Sequence, residues 1–523
     1  MKAQTVKDYL AVHTWVGILC GLVLFIAFYA GAFSMLEADI TRWTQPPAPA
    51  SSAVSDDGDA LVEAFFAAHP DAQGRVRLRW PGPDHTQPAL AHAPRGEESV
   101  WWQLGSDGQL RRLQMPREAD TSGNFIDYLH RKGGLPIPLE VAEPLIGLVS
   151  LAYGLALVSG IIVLLPSLVK DLFHLRLGAN LKRMWLDVHN LLGVASLPFH
   201  LVIAFTAAVF GLHDWVYSAQ DRFIYQDGLD AAVARDSVPR PQTALADRLP
   251  PSEIRRRVAD QAPHFRPLGM DYIMQPAGAT ALVIGSDERH FQRASRSGLA
   301  FVHPGTGQIV DRTYLPGHSG HASTALISSL FSLHFGSFGG DTVRILYVLL
   351  GLSGALLFYT GNLLWIETRT KRARRPQDAP AMERPRHVRV VSALTLGVCL
   401  GCAAALPATL ALAHWLAPVL DDLDALHQGV YYALFSACIV WALWRGTARA
   451  APGLLWFTAA CNALVPLAVA LNPGPDDVLL GAVCASLALF FAWLGWRQRV
   501  PAGAPRQAAP SQLAPQAKPK VHP

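Results

Sequence analysis

Eight blocks of apolar residues dominate the pattern of this chain, each long enough to cross a hydrocarbon core of about 30 Å as a helix. They run from Leu10 to Leu36, Pro144 to Leu168, Leu186 to Leu212, Thr342 to Ile366, Val388 to Leu412, His427 to Trp444, Pro452 to Leu471 and Val478 to Trp496. The expected fold class is therefore an α-helical polytopic membrane protein. Two of the polar stretches between them are long, 37–143 and 213–341, and both alternate in the manner of small α+β modules.

In the first stretch, Asp59 to His69 has apolar residues at helical spacing, and Arg75 to Trp80, Ser99 to Leu104 and Leu110 to Gln114 alternate as strands. In the second, Pro251 to Gln261 reads as a helix; Tyr272 to Gln275, Ala281 to Ile284, Gly298 to Val302 and Ile309 to Thr313 read as strands. Each stretch carries a hairpin signal, Ser106-Asp107-Gly108 in one and His303-Pro304-Gly305-Thr306-Gly307 in the other. The expected organisation is span 1 (1–36), module 1 (37–143), span 2 (144–168), span 3 (186–212), module 2 (213–341), span 4 (342–366), a basic linker (367–387), four further spans (388–496) and a disordered tail (497–523).

Charge orients these elements. Lys170, Arg176, Lys182 and Arg183 follow span 2, eight basic residues from Arg369 to Arg389 follow span 4, Arg445 and Arg449 follow span 6, and Arg497 and Arg499 follow span 8. The opposite short loops hold Asp421, Asp422, Asp424, Asp476 and Asp477 and no Lys or Arg. By the positive-inside rule both termini are cytoplasmic, and the two modules lie outside the cytoplasm. In a bacterium that places them in the periplasm, with the chain in the inner membrane. The first span reads as an uncleaved anchor. A net charge of +4, held in the cytoplasmic loops, suits anionic membrane lipid and argues against nucleic acid. All six cysteines fall within spans, so the modules are not stapled by disulfides, and the Cys399-x-x-Cys402 pair reads as packing.

A repeat runs beneath this layout. Val12-His13-Thr14-Trp15-Val16-Gly17 opens span 1, and Val188-His189-Asn190-Leu191-Leu192-Gly193 opens span 3. Leu129-His130-Arg131-Lys132-Gly133-Gly134 precedes span 2, and Leu333-His334-Phe335-Gly336 precedes span 4. Both copies start in the cytoplasm, so the repeat is parallel, about an axis along the membrane normal. That symmetry brings His13 to His189 at the inner edge and His130 to His334 at the outer edge. Two stacked bis-histidine haems are the simplest use of such pairs. His200 is a rival ligand, because it lies 11 residues after His189 on the same helix face. Arg131, Lys132 and Arg344 outside, and Lys182 and Arg183 inside, are candidate partners for haem propionates. Trp15, Phe25, Phe28, Phe205 and Phe210 are candidates for packing on haem faces, and His318 and His321 for lining an outer reduction site. Gly154 and Gly160 in span 2 resemble Gly354 and Gly361 in span 4 as small residues that let helices approach.

With His13, Trp15 and Gly17, Asp187-Val188-His189-Asn190 with Gly193, the two Leu-His elements and the His303-to-Gly307 turn, residues 1–370 resemble the PepSY-associated transmembrane family. That family includes bacterial iron-regulated inner-membrane proteins and FoxB-type ferric-siderophore reductases. The resemblance implies a duplicated two-helix unit forming a four-helix core with two haem b groups held by His13, His189, His130 and His334. It also implies PepSY-like periplasmic modules and reduction of a ferric siderophore near the outer haem edge, with release of Fe(II). Ala207 departs from it, since relatives usually have Gly after the threonine. The sequence carries no dinucleotide fingerprint, so a cytoplasmic reductase or quinol is the expected electron donor. Two other readings stand beside this one: a non-enzymatic PepSY sensor or binding protein, and a transporter of iron or siderophore. The four C-terminal spans lie outside the resemblance.

Overall fold

The computed structural model describes residues 3–44, 58–81, 87–94, 99–113, 121–167, 181–226, 228, 241–276, 278–294, 297–318, 322–373, 385–420, 422–471 and 477–499. The Pro46 to Ser55 stretch, Lys170, Arg176, His321, Asp421, Asp476, the middle of the basic linker and nearly all of the tail lie outside the described residues.

Eight helices are long and apolar enough to cross a membrane. The first four are α1 (Ala3–Ser34), α5 (Leu139–Leu164), a third span broken into α6 (Leu181–Ala195) and α7 (Leu197–Gln220), and α10 (Gly340–Ala373). The break in the third span falls at Ser196, two residues before Pro198. Proline cannot donate to the carbonyl one turn back, and at the break the Ser196 hydroxyl joins its own N–H on Leu192 O, at 2.6 and 3.1 Å. The last four spans are α11 (Arg386–Leu416), α12 (Leu423–Arg445), α13 (Thr447–Leu471) and α14 (Val478–Arg499). The most enclosed of the eight is α11, which packs against α1, α10, α12 and α13. Its buried residues share one apolar cluster with those of α1. The C-terminal spans are therefore packed into the core bundle rather than merely tethered to it.

Three short helices were not legible as such in the sequence: α2 (Glu37–Thr44), α4 (Ser122–Arg131) and α9 (Ala322–Phe335). They lie on the side of the bundle that carries the sheet. Two of them matter for chemistry, because α4 carries His130 and α9 carries His334.

The two polar stretches each pack one helix on a sheet, α3 (Asp59–Ala68) and α8 (Pro251–Gln261), and supply four strands to it. They do not form two separate modules. Their strands β1 (Arg75–Arg79), β2 (Ala89–Ala93), β3 (Val100–Leu104), β4 (Leu110–Leu113), β5 (Arg266–Gln275), β6 (Gly278–Ser286), β7 (Gly298–Val302) and β8 (Ile309–Asp311) make one eight-stranded sheet. The order is β4-β3-β2-β1-β5-β6-β7-β8, so the first strand of each half is paired antiparallel to the other at the centre. Phe65 and Leu61 from α3, Ile254 and Val258 from α8, and Val76, Leu78, Met270 and Tyr272 from the central strands close a common core. Each of these large side chains contributes about 1.5–3 kcal/mol on burial, and neither half alone has a partner for its central edge. Strand β2 was missed because Ala-Leu-Ala-His-Ala has little of the β-branched and aromatic character that marks strands.

Candidate functional site

Within the bundle the four repeat histidines form two pairs. The His13 and His189 rings lie 6.1 Å apart between centroids, and the His130 and His334 rings 6.2 Å apart. Along α1, His13 and the Ala27 carbonyl that receives His130 are 14 residues apart, which is about 21 Å of helix. The two pairs thus stand in separate layers along the bundle.

How each ring is held follows from local sequence. His13 Nδ1 lies 2.8 Å from Ala156 O of α5, and His189 Nδ1 lies 3.2 Å from Leu357 O and 3.1 Å from Thr360 Oγ1 of α10. A hydroxyl accompanies each carbonyl: Ser159 Oγ donates to Ala156 O at 2.9 Å, and Thr360 Oγ1 donates to Leu357 O at 2.8 Å. Glycine follows in each case, and a methyl on Gly160 would sit 2.9 Å from the His13 ring. On Gly361 it would sit 3.4 Å from His189. The duplicated element is therefore Ala156-x-x-Ser159-Gly160 matched to Leu357-x-x-Thr360-Gly361, a carbonyl that aims the ring followed by a glycine beside it, and it is at Gly160 that the glycine is needed to make room. By spacing alone, Gly160 and Gly361 suggest helix packing, which is not what they do here. The contact that fits that description is Gly147 against Gly211, where an added methyl would meet backbone atoms at 2.6–2.8 Å.

The outer pair follows the same plan with one variation. His130 Nδ1 lies 2.8 Å from Ala27 O of α1, and a methyl on Gly31 would sit 2.9 Å from that nitrogen. The equivalent positions in the third span, again 14 and 18 residues after the first histidine, are Ile203 and Ala207. With alanine in place of the glycine, His334 Nδ1 bonds instead to the Thr206 hydroxyl at 2.8 Å, and that hydroxyl donates to Val202 O at 2.7 Å. Alanine at 207 in place of a second glycine therefore coincides with His334 being held by a hydroxyl alone.

These contacts set the tautomers. A carbonyl oxygen only accepts, so His13, His130 and His189 carry the proton on Nδ1. The Thr206 hydroxyl has given its own proton to Val202, so His334 is protonated on Nδ1 as well. All four Nε2 atoms are left with a lone pair, the arrangement found in metal-ligating histidines whose other nitrogen donates to a carbonyl or hydroxyl.

The donor set can be tested against haem. A metal–imidazole bond of about 2.0–2.1 Å on each side, plus the two ring radii, separates trans imidazole centroids by about 6.4 Å. The observed 6.1 and 6.2 Å are close to that value. Each pair offers two donors only, and among the described residues no group of three or more His, Cys, Asp or Glu side chains converges on a point. Tetrahedral zinc takes at least three protein ligands, whereas haem brings its own four equatorial nitrogens and asks the protein for two axial ones. The residues present fit haem.

Other expectations fare differently. His200 joins neither pair: it is fully buried, both ring nitrogens lack hydrogen bonds, and it packs among Phe28, Tyr153 and Phe199. Arg131 is already matched by Glu143 and Asp127, and Arg344 by Asp39, Asp341 and the Met35 carbonyl. Those carboxylates occupy the guanidinium groups assigned to propionates, so a propionate would have to share them. Trp15 and Phe205 turn outward, Phe25 packs on Tyr29, and of the aromatic candidates Phe210 touches an expected ligand, His334, at 5.1 Å between centroids. His318 is exposed. His414 stacks on Trp43, and His427 bonds Ser122 at the start of α4, so the C-terminal spans grip the helix that carries His130.

A duplicated two-span unit, with a histidine pair in each of two layers and a fused sheet at one end, defines this as a polytopic helical membrane protein with a twofold-repeated core. The chain belongs to the PepSY-associated TM region family, whose model matches residues 10–368. The four C-terminal spans fall outside that match. No curated protein matches the chain.

Proposed function

We propose that the protein is a di-haem transmembrane electron-transfer protein of the bacterial inner membrane, acting as a ferric-siderophore reductase in iron acquisition. In this reading both termini are cytoplasmic, the sheet is periplasmic, a cytoplasmic reductase or quinol donates electrons, and Fe(III) in the chelate takes up one electron to become Fe(II). Iron is then released, because Fe(II) is the poorer partner for hard oxygen ligands. The observation that carries the reading is the pair of two-histidine layers, each ring aimed by a hydrogen bond from Nδ1 and each Nε2 left free.

His13 with His189 and His130 with His334 would hold the two haems, whose iron supplies reversible one-electron chemistry. The work of the chain is orientation and exclusion. Ala156, Leu357 and Ala27 carbonyls and the Thr206 hydroxyl fix ring direction and tautomer. Gly160 and Gly31 keep the space beside the rings clear. Phe28, Tyr153, Phe199 and Phe358 pack with His200 in the interior of the bundle, where they keep water out.

The decisive measurement is the haem-to-protein ratio of purified wild type and of the His13→Ala, His189→Ala, His130→Ala and His334→Ala variants. About two haems per wild-type chain are expected, with loss confined to one haem in each variant. Absence of a Soret band from wild type, or a band indifferent to all four substitutions, would sink the reading.

A further inference from the structure

The central seam of the sheet carries a charge arrangement that no step above uses. Strand β1 reads Arg75-Val76-Arg77-Leu78-Arg79, and alternation sends Val76 and Leu78 into the core with α3 and α8. All three arginines consequently share the opposite face. Opposite them on β5 is Asp271, 2% exposed, with its carboxylate 3.7, 3.8 and 3.2 Å from the guanidinium nitrogens of Arg75, Arg77 and Arg79. Among the described residues that is three cations held by one anion. The arginine side chains remain 44, 32 and 25% exposed, so solvent reaches a patch with two positive charges in excess.

The neighbours of this ladder are apolar and low. Arg75, Arg77 and Arg79 are paired across the strand with Ala93, Ala91 and Ala89, and Arg79 on its other side with Gly269. Following the register outward from Arg77, Ala91 is succeeded by half-buried Trp101 and then Leu113. With strands about 4.8 Å apart, Trp101 stands about 10 Å from the arginine row. Ala89 and Ala91 are themselves buried, so the part-exposed guanidinium groups are what a ligand meets, and they suit an anion that also has flat faces for them to stack on. Guanidinium groups bind oxyanions in a fork and stack on aromatic faces. A cationic ligand would meet repulsion at the same place.

We infer that the Arg75–Arg77–Arg79 face, fanned out on Asp271, binds the ferric chelate, and that the chelate this protein takes is anionic, of the aromatic oxygen-donor type. The inference rests on the reductase reading and adds its substrate class. Asp271 gathers the three guanidinium groups at one carboxylate.

Redox-inert gallium(III) complexes test it without any reduction. Full-length protein in detergent is titrated with a triply anionic hexadentate tris-catecholate gallium complex and with a cationic hexadentate tris-hydroxamate gallium complex. Wild type should bind the anionic complex at least tenfold more tightly, and added salt should weaken that binding. Arg77→Gln and the more exposed Arg75→Gln should each lower the affinity several-fold or more, while Arg256→Gln on the far face should leave it unchanged. Thermal melts of the variants establish that the sheet is intact, and Arg75→Gln keeps the test open if Arg77→Gln fails to fold. Equal affinity for the two complexes overturns the inference, as does anionic binding indifferent to both substitutions, or capture by phosphatidylglycerol vesicles with no chelate binding. Because gallium is not reduced, intact binding by a protein lacking haem would count against the reductase reading and leave the anion site standing.

Discussion

Replacing Gly160 by alanine perturbs one ligand at a known place. The new methyl would sit 2.9 Å from His13 Cε1 and 3.0 Å from Nδ1, whereas ordinary contact begins at 3.4 Å. Restoring ordinary contact takes a shift of the ring of 3.4 − 2.9 = 0.5 Å. That retreat comes at the expense of the 2.8 Å bond from Nδ1 to Ala156 O, the contact that orients the imidazole. Loss of such an orienting partner costs about 10–100-fold in metal affinity, equivalent to about 1.4–2.7 kcal/mol. The matching change at Gly361 places its methyl 3.4 and 3.8 Å from the His189 ring, already within ordinary contact. The two glycines are equivalent in the repeat, yet only Gly160→Ala should shed haem. The assay is the haem-to-protein ratio after dialysis, with the melting temperature of each variant to separate loss of ligation from loss of fold. Full retention in Gly160→Ala, or greater loss in Gly361→Ala, would refute the reasoning that glycine there exists to clear the ring.

Thr206→Val removes the acceptor for His334 Nδ1 while keeping shape, and should loosen the outer haem by about 10–100-fold with the inner one unchanged; Thr206→Ser should restore it, as followed by spectra of the His13→Ala and His334→Ala backgrounds. His200→Phe should leave two haems per chain and stability equal or higher, because both ring nitrogens are buried without partners among aromatic rings; loss of a haem in that variant would restore His200 as a ligand. Ser332→Ala breaks a buried clamp in which Ser332 Oγ accepts from Gln292 N at 2.6 Å and donates to Gln292 O at 3.1 Å, tying the β6–β7 connection to the helix carrying His334. It should cost about 1–3 kcal/mol, read as a lower melting temperature, and no change in melting would show the clamp to be idle.

Much of this protein is determined by local sequence. Apolar run length alone sets the eight spans, since a helix must satisfy its own backbone groups in lipid and needs about 20 apolar residues to do so. The histidine repeat was likewise legible, because duplication preserves the order of motifs even where the connecting residues drift. What lay beyond reach was everything that depends on a partner distant in the chain. Ala156 and Leu357 are unremarkable letters until the fold sets their carbonyls against rings 143 and 168 residues away. His200 shares a helix face with His189 at suitable spacing, and only packing shows it enclosed by Phe28, Tyr153 and Phe199 instead of opposite another histidine. The two polar stretches each looked self-sufficient, because hairpins are local, whereas the β1–β5 pairing that fuses them joins Arg75 to Ile273 and gathers three arginines on Asp271. Periodicity encodes which face a residue takes; what meets that face is decided by tertiary structure, because the meeting is between segments with no sequence relation to one another.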